Sequence, residues 1–203
     1  MERLVARILT YIFHPFFLPV YMLLVLMNLN AYFSLMISFR GKILLLLMAV
    51  LNTIIIPGIM ILLYKKLGLV RQIQMDSREE RQLPLFTSSL MFLVTAVLFQ
   101  KTQVHPVFAL FFLGGAFTSA LAMLVNRFWK ISLHMISLGG ASGALSGISV
   151  SLGLDLLYWI AGVVLVAGFT GFARIKLKAH NLAQLGAGFA MGFSIMFLVY
   201  LIY

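Results

Sequence analysis

Residues 106–127 read PVFALFFLGGAFTSALAMLVNR, a run with no charge until its last position. An α-helix needs about 20 such residues to cross the hydrocarbon core of a bilayer, so the stretch reads as a membrane span. Working outward, six more apolar runs stand at about 11–29, 43–64, 84–100, 134–150, 155–173 and 181–202. Two of them, 84–100 and 134–150, are short for a span. No alternating ten-residue pattern of a membrane barrel appears. Composition agrees: of 203 residues 63% are hydrophobic and 10% charged, with a mean hydropathy of +1.08, whereas soluble domains sit near half apolar and a quarter charged. A water-soluble fold of this size could not hide that much apolar surface. The expected fold is all-α, a polytopic transmembrane helix bundle of about six to seven spans. No linker, repeat or low-complexity tract divides it, so 1–203 reads as one integral membrane domain.

The charges are unequally placed. Fifteen Lys and Arg face five acids, for a net charge of +10. In a soluble chain this would suggest nucleic acid; here the cations flank apolar spans, where they meet lipid headgroups, so the expected partners are membrane lipids and not nucleic acid. Connections at 65–83, 128–134 and 174–180 carry most of the charge, and two spans separate each from the next, which puts all three on one membrane face. With Arg3, Arg7 and Arg127 that face holds twelve cations, against Arg40, Lys42 and Lys101 on the other. The imbalance favours a cytoplasmic charged face and a multi-pass protein of the bacterial inner membrane. Residues 1–10 suit an amphipathic interfacial helix and 31–42 a second interfacial stretch. The start, Met1-Glu2-Arg3, has no cleavable small-residue site and reads as mature. Cysteine is absent, which excludes disulfides, thiolate metal sites and a thiol nucleophile.

Glycines mark helix packing. Gly139, Gly143 and Gly147 recur every four residues, and Gly188 and Gly192 repeat the spacing. Small residues four apart let another backbone approach closely; packing within the chain is the favoured reading, and an oligomer or a partner membrane protein the other.

Three segments could carry chemistry: DSREERQLP (76–84), KISLH (130–134) and RIKLKAHNLAQ (174–184). Each sets cations or a histidine at a helix end, where backbone N–H groups and the helix dipole favour an anion. Two histidines with several arginines suit phosphoryl chemistry: guanidinium forks neutralise phosphate oxygens, one imidazole attacks and the other protonates the leaving oxygen.

These motifs resemble the type 2 phosphatidic-acid phosphatase superfamily over about residues 76–192. Its third motif is Ser-Arg, five residues, His, three residues, Asp; this chain has Ala173-Arg174, His180 and Gln184 at those spacings. Its second, Pro-Ser-Gly-His, is matched by Ile131-Ser132-Leu133-His134, and 39 positions separate His134 from Ala173. Its first, Lys, six residues, Arg-Pro, has a loose analogue in Arg78, Arg81 and Pro84. The resemblance implies a nucleophilic His180, an acidic His134, and a phosphate held by Arg174, Arg81 or Arg78, Ser132 and Lys130, with no metal and no cofactor. It also implies work on the exoplasmic face, opposite to the charge count.

The departures are specific. Gln184 stands where a carboxylate would orient the nucleophilic histidine; an amide oxygen can accept the imidazole N–H but does not offset its charge, and the analogous swap in serine proteases costs about 10⁴ in rate. Asp76, Glu79 or Glu80, from the first charged connection, are the candidates to supply the negative charge that Gln184 lacks. Leu133 replaces a glycine, and the first-motif lysine is missing. The expected function is an integral-membrane lipid phosphatase acting through a phosphohistidine; the alternative is a non-catalytic, phosphatase-like protein that binds lipid phosphates or serves as an assembly subunit. Plainer readings stand beside these. Lys176 and Lys178 suit headgroup anchors, Arg78–Arg81 a self-paired turn, His14 beside Pro15 a cap as readily as a functional group, His105 a helix start and Asp155 a helix N-terminal charge. A zinc site from His134, His180 and Glu79 or Glu80 has no recognised ligand spacing.

Overall fold

The computed structural model describes residues 2–71 and 77–203, and every regular element among them is helical. Six helices are long and apolar enough to cross a membrane, which makes the chain an integral, multi-pass membrane protein. In chain order the principal helices are α1 (Glu2–Ile12), α2 (Leu18–Asn28), α3 (Phe39–Lys66), α4 (Gln82–Lys101), α5 (Pro106–Phe128), α6 (Leu133–Leu152), α7 (Leu157–Lys176) and α8 (Leu182–Leu201).

The first expected span, 11–29, is not one helix. Proline disfavours helical geometry at the preceding residue, and the chain is out of the helix at His14, ahead of Pro15, to restart at Leu18. Pro19 sits in the first turn of α2, where its missing N–H costs nothing. At about 1.5 Å per residue, α2 spans roughly half the hydrocarbon core. The two runs that read as short are full-length: the first extends into polar residues to span Glu79–Lys101, and the second gains Leu133 at one end and Ser151 and Leu152 at the other. The stretch 31–42 holds a single turn, Tyr32–Leu35, and then the start of α3, capped by Ser38 Oγ accepting from Gly41 N–H at 3.1 Å. Within α3 the turn widens to a π stretch over Leu51–Ile55. Pro57 follows; it has no N–H to give and its ring crowds the carbonyl four residues back, that of Thr53.

The contacts divide the chain into two compact units: residues up to Leu18 with Ile131–Tyr203, and Pro19–Lys130. In the second unit α4 and α5 pack through aromatic rings, Phe99 against Phe112 edge-on at 4.9 Å between centroids. Polar side chains brace this unit: Ser89 Oγ donates to the Ala116 carbonyl at 3.0 Å, and Tyr64 pairs with Thr87 at 2.7 Å. His105 starts α5 as expected, its side chain accepting from Val107 N–H.

In the first unit α6 and α8 pack backbone to backbone. A Cβ added at Gly139, Gly143 or Gly192 would collide with the carbonyl of Phe189, Phe193 or Ile136, and one at Gly188 would stand 2.9 Å from the Ser132 carbonyl. The glycine stripe therefore packs within the chain. Its register runs 132 with 188, 136 with 192 and 143 with 193, so α6 and α8 are parallel. Their two N-termini lie side by side, at the end where α7, which joins them, stops.

Candidate functional site

That end of the first unit gathers His134, His180, Gln184, Arg174 and Ser132. The chain leaves α7 through a left-handed residue, Lys178 (φ 54°), with Ala179 N–H bonded to the Arg174 carbonyl at 3.0 Å. His180 follows, nearly buried at 8% exposure, directly before the N-cap Asn181.

The start of α8 is a capping box: Gln184 N–H donates to Asn181 Oδ1 at 2.9 Å, and Asn181 N–H to Gln184 Oε1 at 3.2 Å. The second of these bonds holds the Gln184 side-chain amide in place. Its oxygen also lies 3.0 Å from His180 Nδ1. An amide oxygen only accepts, so Nδ1 carries a proton and donates it to Gln184 Oε1. The Gln184 carbonyl thus orients His180 as the sequence spacing anticipated, without supplying a charge.

His134 lies in the first turn of α6, at 7% exposure. Its Nε2 is 3.2 Å from the Thr10 carbonyl, which likewise can only accept and so fixes the proton on Nε2. Arg174, His14 and His180 are all within electrostatic reach of His134. Ser132, the N-cap of α6, makes no side-chain capping bond, and its buried hydroxyl has no hydrogen-bond partner among the described residues. An unsatisfied buried hydroxyl at a helix N-terminus is open to an acceptor such as a phosphate oxygen.

His14 belongs to this cluster, a role its sequence position left undecided. Its ring meets His134 edge-on at 5.5 Å between centroids, while Nδ1 accepts from Phe16 N–H at 3.3 Å. The Phe16 bond lies in the turn ahead of α2, and the ring contact places His14 beside His134. Burial first, then the Arg174 guanidinium, push its pKa down from 6.5 to about 4, so it is neutral at physiological pH.

The other expected phosphate ligands, Arg78, Arg81 and Lys130, belong to the second unit. Arg78 pairs with Glu79 at 3.1 Å, as the self-paired reading had it, and also donates to the Phe128 carbonyl at 2.7 Å. Asn126 in turn donates to the Arg78 carbonyl at 2.8 Å, so this arginine ties the start of α4 to the end of α5. Arg81 is buried in the turn Glu79–Arg81 and Lys130 is half-buried after α5. Glu80 Oε1 accepts from Arg71 N–H at 2.8 Å, and Asp76 lies outside the described residues. No three of His, Asp and Glu gather as metal ligands among the described residues of either unit.

Two parallel helix N-termini, a guanidinium, an unsatisfied buried hydroxyl and an oriented imidazole form a setting in which an anion can sit beside an imidazole ring. Compared with known protein families, with curated proteins and with solved structures, the chain matches none.

Proposed function

We infer that the first unit carries a lipid phosphatase site of the type 2 phosphatidic-acid phosphatase kind. The observation that carries the reading is the His180–Gln184 bond at 3.0 Å, which presents Nε2 as the attacking atom beside Arg174 and His134. In the proposed cycle Nε2 attacks phosphorus and the bond to the lipid oxygen breaks. His134 gives that oxygen a proton; with its Nε2–H held by Thr10, the neutral ring first takes a proton at Nδ1 from the monoanionic substrate phosphate and passes it to the leaving oxygen. Water then attacks the phosphohistidine, passing a proton back to His134 and releasing inorganic phosphate. The reading assigns the chain to the bacterial inner membrane. Labelling a Ser77→Cys variant from outside intact cells decides which face its charged connections occupy.

A second reading has one observation in its favour: the group that orients His180 is a neutral amide, so a cationic phosphohistidine lacks a counter-charge. The unit would then bind lipid phosphates without hydrolysing them. Purified protein offered phosphatidic acid, phosphatidylglycerophosphate, a polyprenyl diphosphate and a lipid A-type phosphate separates the two. The phosphatase reading expects metal-independent phosphate release from at least one of them and a loss of at least about 10³-fold in His180→Ala. Release from none, or release unaffected by the substitution, sinks it.

A further inference from the structure

The N-terminal segment is fastened to the histidine site at three points. The Thr10 carbonyl takes the His134 Nε2–H, His14 packs against the same ring, and Glu2 pairs with Lys176 at 3.1 Å. Between these points α1 has three distinct faces. Ala6, Leu9, Thr10 and Phe13 recur at helical spacing and are its buried or half-buried positions. Leu4, Ile8, Tyr11 and Ile12, also at helical spacing, are exposed, with Val5 alongside. Arg3 and Arg7, one turn apart and exposed, fill the remaining flank.

An apolar stripe edged by arginines fits the boundary between acyl chains and headgroups. Charge selects the kind of surface: this end of the unit exposes Arg3, Arg7, Lys176 and Lys178, and Glu2, paired with Lys176, is its one acid among the described residues. The fitting partner is an anionic phospholipid surface. We propose that the N-terminal segment is the positioning arm of the histidine site: α1 seats on an anionic lipid surface, and that seating holds the Thr10 carbonyl where it fixes the tautomer of His134. Thr10 and His14 are positioning elements in this scheme, since they act on substrate only through His134. The idea rests on His134 being a working member of the proposed site, but its test reads the ring itself.

The chain has four histidines, few enough to assign each imidazole ¹⁵N signal by single substitution. Full-length protein is placed in nanodiscs of phosphatidylglycerol or of phosphatidylcholine, alongside an Arg3→Glu/Arg7→Glu variant and a Leu4→Ser/Ile8→Ser variant. Wild type in phosphatidylglycerol is expected to show His134 as the Nε2–H tautomer. Phosphatidylcholine, or either variant, should shift the tautomer ratio by about fivefold, the effect of losing one ordinary hydrogen bond, with the His105 signal unmoved. A His134 signal identical across lipids and variants overturns the proposal. So does one that follows protein concentration rather than lipid charge, which would put a second copy on this face. Phosphate release from the same samples keeps the two ideas apart: a responsive His134 without release upholds the arm and defeats the phosphatase.

Discussion

The two units hold their helices together by opposite means. In the second, α4 and α5 are spaced by side-chain volume, with Phe92, Phe99 and Phe112 filling the gap, and polar groups such as Ser89 and Gln82 bond to backbone carbonyls across it. In the first, α6 and α8 meet where side chains are missing, at Gly139, Gly143, Gly188 and Gly192, and polar side chains meet at the ends instead, His180 with Gln184 and His134 with His14. Bulky interfaces keep backbones apart and use their polar groups as braces. A glycine interface draws two helix starts into adjacency, and polar groups collect where they emerge.

The sharpest way to break this contrast is to change volume in opposite directions. Gly143→Leu places its side chain against the Phe193 carbonyl; a backbone so close cannot yield cheaply, and a loss of about 3 kcal/mol or more is expected. In the second unit it is Phe99→Ala, which empties a fully buried ring site, that should cost a similar ~3 kcal/mol. Thermal unfolding in detergent measures both. Gly143→Ala as stable as wild type would show that the groove has slack and that the comparison is overdrawn.

A smaller effect sharpens the functional half. Gln184 Oε1 serves both His180 and the capping box, so Gln184→Glu keeps the length and both acceptor bonds while adding a charge. Turnover should rise about tenfold or more, and melting temperature should hold. Gln184→Asp, one methylene shorter, should gain less because the box is lost. No gain with glutamate favours the binding reading.

The smallest expected effect is on pH. His14 has a pKa of about 4 when folded, below its ordinary 6.5, so the unfolded chain takes up the proton first. Its share of stability is present above about pH 6.5 and lost as pH falls toward 4; at a partly exposed site the loss is on the order of 1 kcal/mol. His14→Phe should flatten that part of the profile of melting temperature against pH, and an unchanged slope would count against the assignment.

Much of this was legible beforehand. Six spans announce themselves because an uncharged run of about 20 residues has few other uses. The run at 11–29 misled because a hydropathy reading counts apolar residues and is blind to the bend before Pro15. The π stretch ahead of Pro57 is equally silent in such a count. In the site, His180 and Gln184 were readable as a pair from the motif spacing, and the capping box that opens α8 turns the Gln184 side chain back towards His180. The arm was not: Thr10 and His134 are 124 positions apart, and nothing in local spacing signals a contact of that range. Arg78 and Arg81 were grouped with the histidines by charge and a loose motif analogue, and the bonds Arg78 makes show it also has a structural task within its own unit.

The glycine groove also acts as a ruler. Because α6 and α8 engage in one register, the height of His134 and of Gln184 along their helices is measured from Gly139 and Gly188, not from the ends of the chain. One residue inserted between His134 and Gly139 would swing the imidazole about 100° around the helix axis, whereas extra residues at 153–156 leave the gauge untouched. Lineages that keep such a gauge can lengthen that connection freely, yet cannot shift either reactive end without recutting the whole stripe.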